Sequence, residues 1–175
     1  MRNNGQRRER PPLDLAALER LGLRYVERFA TTRGKLTDYF RRKLRERGAV
    51  EGFDTAGIDV LVEKFARLGY VDDASWAGSK ASSLTRRGYG PRRVGAALKA
   101  AGIDPDLAEA VAPDEDEALA AAETYARKRK FGAFADREAD RETRQKQLAA
   151  MLRAGHGYDL ARRIVTARPD DGGEA

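Results

Sequence analysis

Three glycine-ended helix stops, spaced almost evenly, limit what this chain can fold into more than any other feature. Leu44-x-x-x-Gly48, Leu98-x-x-x-Gly102 and Met151-x-x-x-Gly155 lie 54 and then 53 residues apart. Each ends an apolar stripe, and each is followed by a shorter one. Glycine suits such a stop because it adopts the left-handed conformation that closes a helix C-terminus. A repeat of that length with three helices per unit predicts three tandem three-helix modules. A module so small has a thin core and must lean on its neighbour, so an elongated, curved stack is expected.

Helical spacing runs through the whole middle of the chain, and alternating strand spacing does not. Leu15, Leu18, Tyr25, Val26 and Phe29 form the first stripe, and Leu36, Tyr39, Phe40, Lys43 and Leu44 the second. Ile58, Leu61, Val62, Phe65 and Leu68 form a third, ended by Gly69. Asp72-Asp73 opens a fourth helix with Trp76, Ala77, Ala81 and Leu84 inward. Pro91, after Gly90, suits the first position of a fifth. Asp104-Pro105 caps a short sixth. The seventh begins with Asp114 to Glu117 and ends with Arg127 to Lys130, acid and base each at the end the helix dipole favours. An eighth is expected over about 138–154 and a ninth around Tyr158 to Val165. The fold class is all-α, with helical repeats over 13–69, 70–113 and 114–167. A basic arm (1–12) and an acidic tail (168–175) flank them, and both compositions predict disorder.

Catalytic chemistry finds no footing in these residues. There is no cysteine, so thiol nucleophiles and thiolate metal sites are excluded. The single histidine, His156, sits in the helix–helix turn Ala154-Gly155-His156-Gly157 and reads as an exposed or capping residue. The paired acids Asp72-Asp73 read as a helix cap rather than a cation site. Gly88-Tyr89-Gly90-Pro91 lacks the preceding strand and the following Gly-Lys-Ser/Thr of a phosphate loop. No enzyme, cofactor or metal is expected. A chelator should leave the melting temperature of the purified protein unchanged, and a drop would reveal a missed site. With no long apolar run and no apolar segment after the N-terminus, neither a membrane span nor a secretory signal is expected, and a cytoplasmic monomer is.

Binding chemistry is better supplied. Lys and Arg total 34 against 28 acids, and the excess has a focus. From Ala74 through Ile103 there is no acidic residue, while Lys80, Arg86, Arg87, Arg92, Arg93 and Lys99 are basic. Arg86-Arg87 close one helix and Arg92-Arg93 open the next, so a tight turn carrying Tyr89 displays four guanidiniums. Arg92 and Arg93 stand at the end of a helix where the dipole disfavours cations, which points to a ligand rather than to folding. Planar guanidiniums suit the phosphates of a polyanion or a carboxylate-lined protein groove. Arg41, Arg42 and Arg45 on the second helix, and Lys128 and Lys130 at the end of the seventh, are lesser candidates.

Residues Gly69 to Ile103 carry a specific pattern. Tyr70-Val71-Asp72-Asp73 is followed by Trp76-Ala77, then Arg87-Gly88-Tyr89-Gly90-Pro91-Arg92, then Leu98 to Gly102. This stretch resembles the central repeat of RecX, the bacterial regulator of the RecA recombinase. Tyr39, Leu44 and Gly48 fit the first repeat of that family, and Tyr158-Asp159-Leu160 the end of the third. Two positions depart from it: Trp76 stands where Phe is more usual, and Ala-Gly-His-Gly replaces a more basic, aromatic turn. The resemblance implies a cytoplasmic, three-repeat, non-enzymatic protein. It would bind the groove of the RecA nucleoprotein filament and restrain RecA in DNA repair, recombination and the SOS response. The residues also admit an independent DNA-binding protein acting through the basic turn 86–93, with DNA as the direct partner.

Overall fold

A computed structural model describes residues 11–169. Apart from Pro11-Pro12 and Arg168-Pro169, the expected arm and tail lie outside the described residues. Among those described, nine α-helices and one short 3-10 turn account for the regular structure, with a single isolated bridge between Leu13 and Ala49. The chain divides into two compact units between Asp73 and Ala74.

The first unit is built on α1 (Leu15–Val26), α2 (Arg33–Arg47) and α3 (Ala56–Arg67). Side-chain oxygens start the first two: Asp14 accepts from the Ala17 amide at 2.6 Å and Thr32 from Lys35 at 3.1 Å. Asp73 spends its carboxylate on the Arg33 amide at 2.9 Å, so it caps α2. The core gathers Leu13, Leu18, Leu36, Phe40, Leu61, Val62 and Phe65, all buried. Phe40 and Phe65 meet edge to face with centroids 6.2 Å apart. Their ring tips press on α1 where Gly22 leaves room; a Cβ there would lie 2.7 Å from Phe40 Cζ. Leu13 enters by backbone, donating to the Gly48 carbonyl and accepting from Val50. Lys64 and Glu19 pair at 2.5 Å between α3 and α1.

Three residues of the expected apolar stripes of the first unit are exposed, Leu15 among them at 43%. The helix of the first stripe stops at Val26, leaving Phe29 beyond it and 56% exposed. Leu68, the C-cap of α3, is 58% exposed because the chain turns away from the helical register there.

The second unit holds two further triplets and two further hydrophobic clusters. Helices α4 (Asp73–Arg86), α5 (Pro91–Ala100) and α6 (Pro105–Ala110) surround Ala77, Ala81, Leu84, Val94 and Leu98. Helices α7 (Glu115–Arg129), α8 (Arg141–Arg153) and α9 (Tyr158–Thr166) surround Ala122, Met151, Ala161 and Val165. Alanines at the contacts let the helices approach closely, at the cost of small buried area per residue. The ends of α7 follow the charge pattern: Asp114 and Glu117 form a reciprocal capping box, and Lys130 closes the helix in the left-handed region at φ 55°. Helix α8 starts three residues later than its stripe predicts, because the Asp140 carboxylate captures the Thr143 amide at 2.7 Å. The glycines of the three stops, Gly48, Gly102 and Gly155, all have positive φ, as the repeat argument requires.

Candidate functional site

The basic turn between α4 and α5 is seated on the turn between α8 and α9. Leu84 and Thr85 carbonyls close α4 by accepting from Tyr89 and Gly88 at 3.1 and 2.8 Å. The chain then meets the second turn backbone to backbone. Gly90 donates to the Ala154 carbonyl at 3.0 Å, and Arg92 donates to the Gly155 carbonyl at 3.1 Å. Both acceptors lie just past α8, whose C-terminal carbonyls carry partial negative charge, and both donors start α5, whose amides carry the positive. The two helix ends satisfy one another's orphan groups.

This seating depends on missing side chains. A Cβ on Gly90 would lie 2.5 Å from the Gly155 carbonyl, and one on Gly155 2.4 Å from the Arg93 nitrogen. A Cβ on Gly88, which sits at φ 91°, would lie 2.9 Å from the Tyr125 nitrogen on α7. Lys128, near the end of α7, donates to the Arg87 carbonyl at 3.2 Å.

His156 lies beneath, fully buried, which corrects the expectation of an exposed or capping residue. Its ring contacts Tyr125 at 5.9 Å, and its Nε2 lies 3.1 Å from the Gly88 carbonyl. A carbonyl only accepts, so Nε2 carries the proton, while Nδ1 has no partner. Burial holds the imidazole below its ordinary range by penalising the charged form, and the Gly88 hydrogen bond offsets part of that. The folded state therefore takes up this proton less readily than the unfolded chain. The stability it contributes is complete above the unfolded value and is lost as pH falls from about 6.5 through the folded value. Melting temperature should fall between pH 7.5 and 5.5, and His156→Gln should flatten that slope. An equal slope in the variant would assign it to other groups.

Above this seat the cations are displayed. Arg86, Arg87, Arg92 and Arg93 are all exposed. Arg87 and Arg93 lie over the half-buried Tyr89 ring, with guanidinium carbons 5.4 and 5.7 Å from its centroid. Tyr89 packs below on the α4–α5 cluster, so it anchors two of the four guanidiniums. Lys128 joins them through the Arg87 carbonyl. The first turn of α5 does not offer an anion site of its own, because the amides of Gly90 and Arg92 are already bonded. Whatever binds here meets side-chain charge.

The other sequence candidates are distributed differently. Lys80 and Lys99 lie six residues before Arg86 and after Arg93, about 9 Å along their helices from the turn. Lys130 is paired with Asp136 at 2.8 Å and is a cap rather than a free cation. Arg41, Arg42 and Arg45 belong to α2 in the first unit, and Arg42 faces Glu46 at 3.7 Å. Sequence reasoning missed Gly155 and His156 as the seat; the matched small-residue turns Gly88-Tyr89-Gly90 and Gly155-His156-Gly157 were the available signal. Among the described residues no group of three or more potential metal ligands occurs, and no helix is long and apolar enough to cross a membrane.

Comparison with known proteins converges on one family. The family model described as the second three-helix domain of RecX matches residues 72–111, the segment that holds the basic turn. The regulatory protein RecX of Myxococcus xanthus is 29% identical over 160 residues, covering 87% of this chain and 86% of that one. A protein of the same name from Thermus thermophilus is 31% identical over 105 residues, or 59% of this chain and 70% of its own length. The crystal structure of RecX from Lactobacillus salivarius superposes with a TM-score of 0.67 at 19% identity, covering 86% of this chain and 94% of that one, and so shares the fold. With a family domain on its basic turn, a relative above 30% identity over most of its length and the same helical fold, this chain belongs to the RecX family of regulatory proteins.

Proposed function

We propose that this protein restrains the RecA recombinase by docking on RecA–DNA filaments, with the turn from Arg86 to Arg93 as a principal contact. It acts by binding and catalyses nothing itself. The observation that carries the reading is the seat: four exposed guanidiniums stand on a turn fixed by backbone bonds, a buried histidine and an anchoring tyrosine, with Lys128 of α7 bonded to its Arg87 carbonyl. A rigid cationic ridge binds a repeating polyanionic or acidic groove without first losing much loop entropy. Bridging neighbouring protomers along such a groove hinders the rearrangements that accompany ATP turnover, which gives inhibition without any chemistry.

The rival reading, a DNA-binding protein that presents α5 to the duplex, is disfavoured by the same seat. The N-terminus of α5 is pressed on Gly155, so its first turn cannot enter a groove end-on. Co-sedimentation separates the two. The purified protein should pellet with assembled RecA–single-strand DNA filaments at salt concentrations that release it from bare duplex. Equal retention on both, or preference for one duplex sequence, would favour the rival.

A further inference from the structure

A second surface, built only from residues of the first unit, has its own chemistry. Tyr25 on α1 and Tyr39 on α2 stack with centroids 4.3 Å apart and planes within 13°. Phe29 extends the row, tilted against Tyr25 at 5.4 Å. The row is held in place: the Tyr39 hydroxyl reaches the Leu21 carbonyl at 3.5 Å, and the Phe29 amide donates to the Tyr25 carbonyl at 3.1 Å. It ends on Phe29, which is 56% exposed although burying such a ring is worth about 1.5–3 kcal/mol. Folding leaves that gain untaken.

Cations surround the rings. Arg24, Arg28, Arg42 and Lys43 line the same open hollow as Tyr25, Phe29 and Tyr39. Arg42 and Lys43 sit over the Tyr39 ring at 5.5 and 5.7 Å. Glu46 pairs with both, Lys43 at 2.6 Å, and offsets one charge of the four. An apolar protein partner would be met by this charge unpaired, and an acidic one would leave the exposed ring unused. A strand of unpaired nucleotides uses both, since every base offers a face for stacking and every linkage a phosphate. We infer that the aromatic row Tyr39–Tyr25–Phe29 and its four cations form a binding site for single-stranded nucleic acid, with a base stacked on Phe29 and the flanking phosphates on Arg24, Arg28, Arg42 and Lys43.

The site is tested without RecA, so its failure is distinct from failure of the filament reading. Fluorescence anisotropy compares a labelled oligo(dT) of about 20 nucleotides, longer than one such site, with a chain of equal length and charge whose sugars carry no base. The wild type should bind oligo(dT) more tightly than the abasic chain. Phe29→Ala, an exposed position, should weaken oligo(dT) binding about fivefold or more while leaving the abasic chain unchanged. Reversing charge at Arg86, Arg87, Arg92 and Arg93 should leave the ratio between the two chains intact. Photocrosslinking of the wild type to 5-iodouracil oligonucleotide should label the tryptic peptides holding Tyr25 (25–28), Phe29 (29–33) or Tyr39 (36–41). Equal wild-type affinity for both chains, an unaltered Phe29→Ala, or crosslinks confined to the second unit would overturn the assignment.

Discussion

Gly155→Ala should cost the second unit about 3 kcal/mol or more, while Gly95→Ala should stabilise it by about 0.5–1 kcal/mol. The two exchanges add the same methyl group, and only the surroundings differ. Gly155 sits at φ 95°, where an L side chain is strained by roughly 1–2 kcal/mol. Its new Cβ would also lie 2.4 Å from the Arg93 nitrogen, which is backbone and cannot swing aside. Relief requires the two turns to part, and that breaks the Gly90–Ala154 and Arg92–Gly155 bonds and lifts Gly88 from His156. Each bond lost in a buried place costs on the order of 1 kcal/mol or more. Gly95 lies on the exposed side of α5 with nothing within 4 Å, so alanine there only improves helix propensity. Thermal melting followed by circular dichroism reads both. A Gly155→Ala protein that melts with the wild type would mean that the two turns are not in contact in solution.

The helices are legible because their signals are local. Apolar spacing, Asp114 with Glu117, Asp104 before Pro105 and the three glycine stops each act within one or two turns, and each is found where the pattern puts it. The boundaries that differ do so for equally local reasons, such as the Asp140 cap. What periodicity cannot supply is the partner of a turn. Gly88 and Gly90 read as parts of a tight turn displaying arginines, yet they are small because Tyr125 and Gly155 crowd them, residues 37 and 65 positions further along. The same distance hides His156, whose neighbours in sequence are glycines and whose neighbours in space are Gly88 and Tyr125. Tyr25, Phe29 and Tyr39 fit core stripes in the sequence because spacing cannot distinguish an apolar face that is covered from one left open. The four arginines are legible as a cluster from charge alone; why they are held rigid is not.

Charge reversal at all four arginines, Arg86, Arg87, Arg92 and Arg93 to Glu, should abolish regulation while leaving the fold in place. None of these side chains enters a core cluster, and the bonds that seat the turn are backbone bonds that glutamate keeps. The losses are the two cation–π contacts on Tyr89, about 0.5–1 kcal/mol each, and favourable charge at the end of α4. Glutamate at the start of α5 returns a comparable dipole term. The net, about 1–2 kcal/mol, should lower the melting temperature by only several degrees. Binding responds far more, because every guanidinium facing a phosphate or carboxylate becomes a repelling charge, at ~1–3 kcal/mol per close contact. The decisive measurement is DNA-dependent ATP hydrolysis by RecA, titrated with wild type and with the quadruple variant after both are shown to be folded. The wild type should suppress hydrolysis, and the variant should leave it at the uninhibited rate across the same concentrations. A folded variant that still suppresses RecA as fully as the wild type would contradict the assignment of the basic turn as the regulatory contact.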